Sequence, residues 1–108
     1  MIYKEAVAVA KVELHIHPPL YYKMSSKRVG ALILEEKIDQ GETVGDLLAR
    51  LANGNHEAWQ AIFDAQTHRI QPIIMTIFNG TALAFSEAPQ TRLSDNDRIA
   101  FRVAYGGG

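Results

Sequence analysis

Glu42-Thr43-Val44-Gly45-Asp46-Leu47-Leu48-Ala49-Arg50-Leu51 decides the fold. Val44, Leu47, Leu48 and Leu51 fall at i, i+3, i+4 and i+7, so they line one stripe of a helix. Thr43 stands where an N-cap belongs, and Asp46 three residues on completes a variant of the capping box. Asn53-Gly54 predicts a left-handed exit. A helix with one apolar stripe must bury it against another layer, and the flanking segments read as strands.

Upstream, residues 11 to 17 alternate strictly. Val12, Leu14 and Ile16 lie on one face and Lys11, Glu13, His15 and His17 on the other, the pattern of a half-buried strand. Pro18-Pro19 ends it, because proline supplies no ladder N–H, and a loop runs through Tyr21, Tyr22, Ser25 and Ser26. A second strand is expected from about residue 29 to 36; its Leu32-Ile33-Leu34 centre leaves the buried face open. Downstream, Ala58, Trp59, Ile62 and Phe63 have helical spacing between residues 56 and 66, giving a short second helix or helical turn with Trp59 in the core.

Residues 73 to 78 form an apolar, β-rich run after Pro72, and Asn79-Gly80 favours a two-residue hairpin turn leading to a short strand from Thr81. A connector spans residues 89 to 93, and Ser94-Asp95-Asn96-Asp97 is a turn. In the last strand Ile99, Phe101 and Val103 alternate with Ala100, Arg102 and Ala104, and the chain then runs into Gly106-Gly107-Gly108. The order ββαββ predicts an α+β fold of the β-grasp kind: a mixed four- to five-stranded sheet with one main helix on one face. Residues 1 to 105 are expected to form a single domain and residues 106 to 108 a flexible glycine tail.

A length of 108 residues is that of about one ordinary domain, so no tandem architecture is expected. With 47% hydrophobic and 21% charged residues the chain can bury a core. Eleven Lys and Arg against 12 Asp and Glu give a net charge of -1, so no broad basic field exists to attract nucleic acid. The absence of Cys removes disulfides, thiolate zinc sites, iron–sulfur ligation and a Cys nucleophile together. Any sulfur chemistry must therefore use another atom. Ala6-Val7-Ala8-Val9-Ala10 is too short to span a bilayer and lacks a signal-peptide pattern, so a cytoplasmic protein is expected.

Several constellations could carry chemistry. His15 and His17 share a strand face, a spacing zinc sites use, but further ligands would be needed; nothing in the sequence makes His56, His68 or Glu13 converge on them, and solvated strand histidines are the expectation. Asp95 and Asp97 could pair for acid–base work, yet a Ser/Asp/Asn turn is explained by local backbone hydrogen bonding. Gly41, Gly45 and Gly54 form no phosphate-binding fingerprint. Tyr21-Tyr22 with Lys23, Lys27 and Arg28 reads either as an exposed loop or as a small cation–aromatic contact patch. The tail stands apart. Three glycines without Cβ atoms can thread a channel closed to larger residues, reaching roughly 10 Å beyond the strand with a carboxylate at the tip. A frayed terminus is the plain alternative.

The helix block from Gly41 to Leu51, Phe78-Asn79-Gly80 at the hairpin, and Leu93-Ser94-Asp95-Asn96-Asp97-Arg98-Ile99-Ala100-Phe101 before the terminal glycines resemble the MoaD/ThiS-like sulfur carriers. That ubiquitin-like β-grasp family comprises the molybdopterin synthase small subunit and the thiamine-pathway carrier. The resemblance implies a protein acted upon rather than an enzyme. An E1-like adenylyltransferase would use ATP to adenylate the carboxylate of Gly108, and a sulfur donor would convert it to a thiocarboxylate. A downstream acceptor, such as the molybdopterin synthase large subunit or thiazole synthase, would take the sulfur. Gly106 and Gly107 would thread the partner's active site, and His15, Phe101, Arg102 and Tyr105 would form a partner-binding face. No permanently bound cofactor and no metal are implied. The chain departs from the family pattern at Asp95-Asn96-Asp97, where a central glycine is common, and in the polar His15 and Arg102. Residues 1 to 10 and the loop from 18 to 27 lengthen it beyond compact members. Two alternatives remain open: a protein modifier conjugated through Gly108, and a β-grasp binding module.

Overall fold

The computed structural model describes residues 9–26 and 29–104. Seven strands and two helices follow in chain order: β1 (Lys11–Ile16), β2 (Leu32–Lys37), α1 (Val44–Gly54), α2 (His56–Trp59), β3 (Phe63–Asp64), β4 (Arg69–Ile70), β5 (Ile74–Phe78), β6 (Thr81–Ala82) and β7 (Arg98–Val103). The main sheet has the order β2-β1-β7-β5-β6, while β3 and β4 pair as a separate antiparallel hairpin. β1 and β7 run parallel at its centre and the other pairings are antiparallel, so the sheet is mixed as expected.

Alternation sets the layers. Val12, Leu14 and Ile16 from β1, Ile99 and Phe101 from β7, and Ile74 from β5 are buried together with Val44, Leu47, Leu48 and Ala52 of α1. The α1 cap is the predicted box: Asp46 N–H donates to Thr43 Oγ1 and Thr43 N–H to Asp46 Oδ2, both at 3.1 Å. Its exit differs from expectation. The helix continues through Gly54, and Asn55 at φ −153° ends it while accepting from Ala58 N–H at 3.2 Å to start α2. One asparagine serves both ends, and no left-handed glycine is needed.

Two further corrections concern the segment after α2 and the loop after β1. Ala58, Trp59, Ile62 and Phe63 are all buried, but α2 closes after one turn and Phe63 begins β3. Asp64 Oδ1 accepts from the N–H groups of Gln66 and Thr67, at 2.9 and 3.3 Å, and His68 takes φ 57° to bring β4 back. Tyr21 is not an exposed loop residue; it is fully buried, and its hydroxyl donates to the Gly30 carbonyl at 3.0 Å. β2 begins at Leu32, later than expected, leaving Val29 exposed, and turns Leu32, Leu34 and Glu36 inward as the sheet's outer strand.

Candidate functional site

β7 carries the chain toward its terminal glycines, and it is the central strand. His17 N–H donates to the Phe101 carbonyl at 3.0 Å on one side, and Ala104 N–H to the Ile73 carbonyl at 2.7 Å on the other. The backbone is therefore held on the β1 side as far as the Phe101 carbonyl and on the β5 side as far as Ala104. Tyr105, Gly106, Gly107 and Gly108 lie outside the described residues.

The open face of the sheet beside this exit can be read from the strand registers. Ile33 pairs with His15, His15 with Ala100, Ala100 with Ile77, and Ile77 with Ala82, so these five form one row across all five strands. Met75 and Arg102 pair in the neighbouring row toward the exit. On the other side lie Glu35, Glu13 and Arg98. Glu13 Oε1 is 3.0 Å from His15 Nε2 and 3.6 Å from Arg98 Nε, while Lys11 Nζ meets Glu35 at 3.2 Å. The result is a strip that is apolar except for His15, with Ile33 54% exposed at one end, bordered on the Glu13 side by two paired positive and negative charges and on the other by Arg102.

Of the four expected face residues, the structure places His15 and Arg102 on this open side. Phe101 is the correction. It is fully buried, because inward-facing Ile99 fixes the parity of β7 and puts Phe101 on the same side as the helix. Ala100, Ile33, Ile77 and Met75, which occupy the open face, were not singled out from the sequence. The alternation of Ala100 and Arg102 against Ile99 and Phe101 was the signal that could have found Ala100.

The other constellations are structural. Asp95 Oδ1 accepts from Lys11 N–H at 2.8 Å. Asp97 accepts from Asn79 Nδ2 at 2.9 Å and from Ser94 N–H at 2.7 Å. The turn carboxylates thus tie the hairpin at Asn79 and the start of β1 to the root of β7. Asn96 adopts φ 70°, the left-handed conformation that a central glycine would otherwise supply. His68 stands edge-on to Phe63, with ring centroids 5.3 Å apart, and 3.9 Å from Asp46. His56 starts α2, remote from β1 in the element order. Among the described residues no group of three metal-ligating side chains comes together, and no helix is long and apolar enough to cross a membrane.

A mixed sheet with parallel central strands, one capped helix across it and the C-terminal strand in the middle defines a ubiquitin-like β-grasp protein. The sequence profile of the ThiS family matches residues 25–108, and the chain belongs to that family. Among solved structures, it is similar to the crystal structure of SAMP1 from Haloferax volcanii, with TM-score 0.63 and 23% identity over 91% of this chain and 99% of that one. The solution structure of the Haloferax volcanii HVO 2177 protein gives TM-score 0.66 and 19% identity over 98% and 95% of the two chains. Small archaeal modifier protein 1 from Methanosarcina acetivorans gives 0.62 and 23% over 93% and 98%. At these identities the likeness is one of fold. A search of curated proteins returned no match.

Proposed function

We propose that this chain is a sulfur carrier whose substrate group is the carboxylate of Gly108. In the first step a carboxylate oxygen attacks the α-phosphorus of ATP in the site of an E1-like adenylyltransferase, forming the acyl-adenylate and releasing pyrophosphate. A sulfide-level nucleophile then adds to the acyl carbon and displaces AMP, leaving a thiocarboxylate. Glycine leaves that carbon unhindered, and the partner supplies the electrostatic stabilisation of the tetrahedral state. The downstream acceptor belongs to molybdopterin synthesis or a related pathway such as thiamine synthesis. The chain itself acts as a co-substrate.

The observation that carries this reading is the ThiS-family match extending to residue 108, which places the three glycines inside the matched region. The absence of Cys agrees with it, since sulfur would ride on the main-chain terminus. Docking of the activating enzyme is assigned to the open strip of Ile33, His15, Ala100 and Ile77 with Arg102, with Tyr105 at the root of the tail. The test is the intact mass after incubation with ATP, a sulfide source and a cognate activating enzyme. A gain equal to replacing one oxygen by sulfur, lost on deleting Gly108, supports the carrier role. No gain, with the enzyme active on another substrate, overturns it. Gly107→Val should block the same gain through its bulk in the partner's channel while leaving thermal stability nearly unchanged.

A second reading has its own support. Two of the structural neighbours are named small archaeal modifier proteins. On this reading the activated Gly108 forms an amide with a lysine of a target, and a denaturing gel would show larger conjugates where a carrier remains free.

A further inference from the structure

β6 covers only the end of β5: Ile77 and Phe78 pair with Ala82 and Thr81, and Leu83 N–H closes onto the Thr76 carbonyl at 2.9 Å. Among the described residues no strand lies opposite Ile74 on that side. Because Ala104 N–H bonds the Ile73 carbonyl, alternation along β5 turns the Ile74 carbonyl away from β7 and toward this open edge. A groove of about 250 Å³ runs along the edge, walled by Ile70, Pro72, Ile74, Leu83, Phe85 and Ala88. Its one hydroxyl is that of Thr76, a residue only 3% exposed whose side chain makes no hydrogen bond among the described residues. The oxygen is still open to the groove, since no side-chain oxygen among the described residues is both sealed and unpartnered. A more polar cavity of about 450 Å³ shares Phe85 with the groove and carries His68 and Arg69. His68 faces Asp46 at 3.9 Å, but Arg69 makes no ion pair among the described residues. Asp64, its register partner, accepts instead from the N–H groups of Gln66 and Thr67.

We propose that this edge binds an extended segment of a partner protein that carries a tyrosine and, two residues away, an acidic side chain. Small-molecule sites typically occupy about 300–1,000 Å³, so the groove has the scale of one side chain rather than of a whole ligand. An aromatic ring would leave water against Ile74, Leu83 and Phe85, and a phenolic hydroxyl gives the buried Thr76 oxygen the partner that the domain does not. The Ile74 carbonyl calls for a backbone N–H, which an extended chain lying along a sheet edge provides. Residues two apart on such a chain point the same way, so an acid next but one to the tyrosine faces the cavity that holds Arg69. The guanidinium can grip a carboxylate there through two N–H groups. Such a segment would also cover Phe85, 44% exposed, and the neighbouring Ile73, 58% exposed.

The site lies at the β5 edge, away from the strip that runs from Ile33 to Ala82, and its occupancy does not depend on the carrier reading. The test titrates the full-length, isotopically labelled protein with the blocked peptide acetyl-Gly-Tyr-Ala-Glu-Gly-amide, with neither ATP nor enzyme present. Saturable shifts of the Thr76, Leu83 and Phe85 amides are expected, with a Kd near or below about 1 mM, together with nuclear Overhauser contacts from the peptide ring to methyl groups of Ile74 and Leu83. Phenylalanine in place of the peptide's tyrosine should weaken binding about threefold to tenfold, and Thr76→Val, which keeps the side chain's shape, should erase that difference. Arg69→Gln, at an exposed position, should weaken the glutamate peptide about threefold and leave a glutamine peptide unaffected. Absence of saturable shifts at these residues would overturn the proposal. Tyrosine and phenylalanine peptides bound equally by the unaltered protein would overturn the role of Thr76, and an Arg69→Gln protein that binds the glutamate peptide as well as wild type would overturn the acidic requirement. Equal shifts with 4-hydroxyphenylacetate alone would assign the groove to a small aromatic acid, and the same shifts appearing on raising the protein concentration without peptide would assign it to a second copy; either result overturns the partner segment.

Discussion

Arg50 grips the carboxylate of Glu42 with two nitrogens, Nε to Oε2 at 3.2 Å and Nη2 to Oε1 at 3.1 Å, across the first two turns of α1. The Glu42 side chain is almost wholly buried and also accepts from Asp39 N–H at 3.1 Å, while Arg50 Nη2 reaches the Lys37 carbonyl at 2.7 Å. One guanidinium therefore ties the end of β2, the turn before α1 and the helix itself. The hydrogen bond to Glu42 raises the Arg50 pKa, against an opposing effect of burial, with further support from the charges of Glu42, Asp39 and Glu36. A cation with a raised folded pKa adds stability that is complete below its ordinary range and is lost only as pH climbs through the raised value. The Arg50 contribution should thus stay constant across neutral pH.

Arg50→Ala leaves the Glu42 carboxylate buried with only part of its hydrogen bonding, and should cost about 1–2 kcal/mol after allowing for the half-exposed arginine. Arg50→Lys should recover little, because an ammonium cannot reproduce the two-pronged contact. Urea unfolding of the two variants checks this; a lysine variant as stable as wild type would mean that charge alone suffices.

Gly45 sits in the first turn of α1, where alanine would normally strengthen a helix by up to about 1 kcal/mol. Here a Cβ would lie 2.8 Å from the Pro89 carbonyl oxygen and 2.6 Å from His68 Nε2. His68 can rotate away; the Pro89 backbone, held in the 3-10 turn Ala88–Gln90, must shift bodily. Overpacking of this kind costs about 1–3 kcal/mol, so Gly45→Ala should destabilise. Adding His68→Ala should restore only part of the loss, as read from the urea midpoint.

Asn79 joins the β5–β6 turn to the root of β7. Its side chain donates to Asp97 Oδ1 at 2.9 Å and accepts from Arg98 N–H at 2.8 Å, with φ 49° at Asn79 and 87° at Gly80. Asn79→Ala loses both bonds and occupies the left-handed region unfavourably, at about 1–2 kcal/mol for the backbone alone. Asn79→Gly should be better tolerated than Asn79→Ala if backbone strain dominates, whereas equal losses would assign the effect to the two side-chain bonds. Thermal unfolding of the pair distinguishes the two.

These cases show which parts of the molecule sequence can express. Period-two alternation in β1 and β7 and the 3.6-residue stripe in α1 are local, and each gave the right face. Asn79-Gly80 and Thr43 with Asp46 were legible because turn and cap chemistry is carried by the residues themselves. Phe63 was misplaced because an apolar run shared by a one-turn helix and a two-residue strand has no period of its own; Asp64 and the left-handed His68 decide it. Tyr21 lies in the loop that the sequence predicts, but its burial is not legible there, because the partner of its hydroxyl, the Gly30 carbonyl, is nine residues away. The candidate site was only half legible: the terminal glycines stand out as letters, but the open strip exists only when five strands align Ile33, His15, Ala100, Ile77 and Ala82.

The last of these points separates two neighbours in β7. Phe101 is fully buried in the same core cluster as Ile16, Ile99, Leu47 and Leu48, so Phe101→Ala should cost about 3–5 kcal/mol, the usual range for truncating a core phenylalanine. Ala100, one residue away on the other face, lies between His15 and Ile77. Ala100→Arg adds a long side chain to the centre of the open strip without entering the core, and its stability should stay within about 0.5 kcal/mol of wild type. If the proposed docking on this face holds, its adenylation by an activating enzyme should fall, because a charge now occupies the middle of the strip and must be desolvated on association. Measured together, urea unfolding and pyrophosphate release should respond in opposite order for the two variants. An Ala100→Arg protein that is adenylated as fast as wild type would move the docking surface off this face, and a Phe101→Ala protein of unchanged stability would contradict the buried parity of β7.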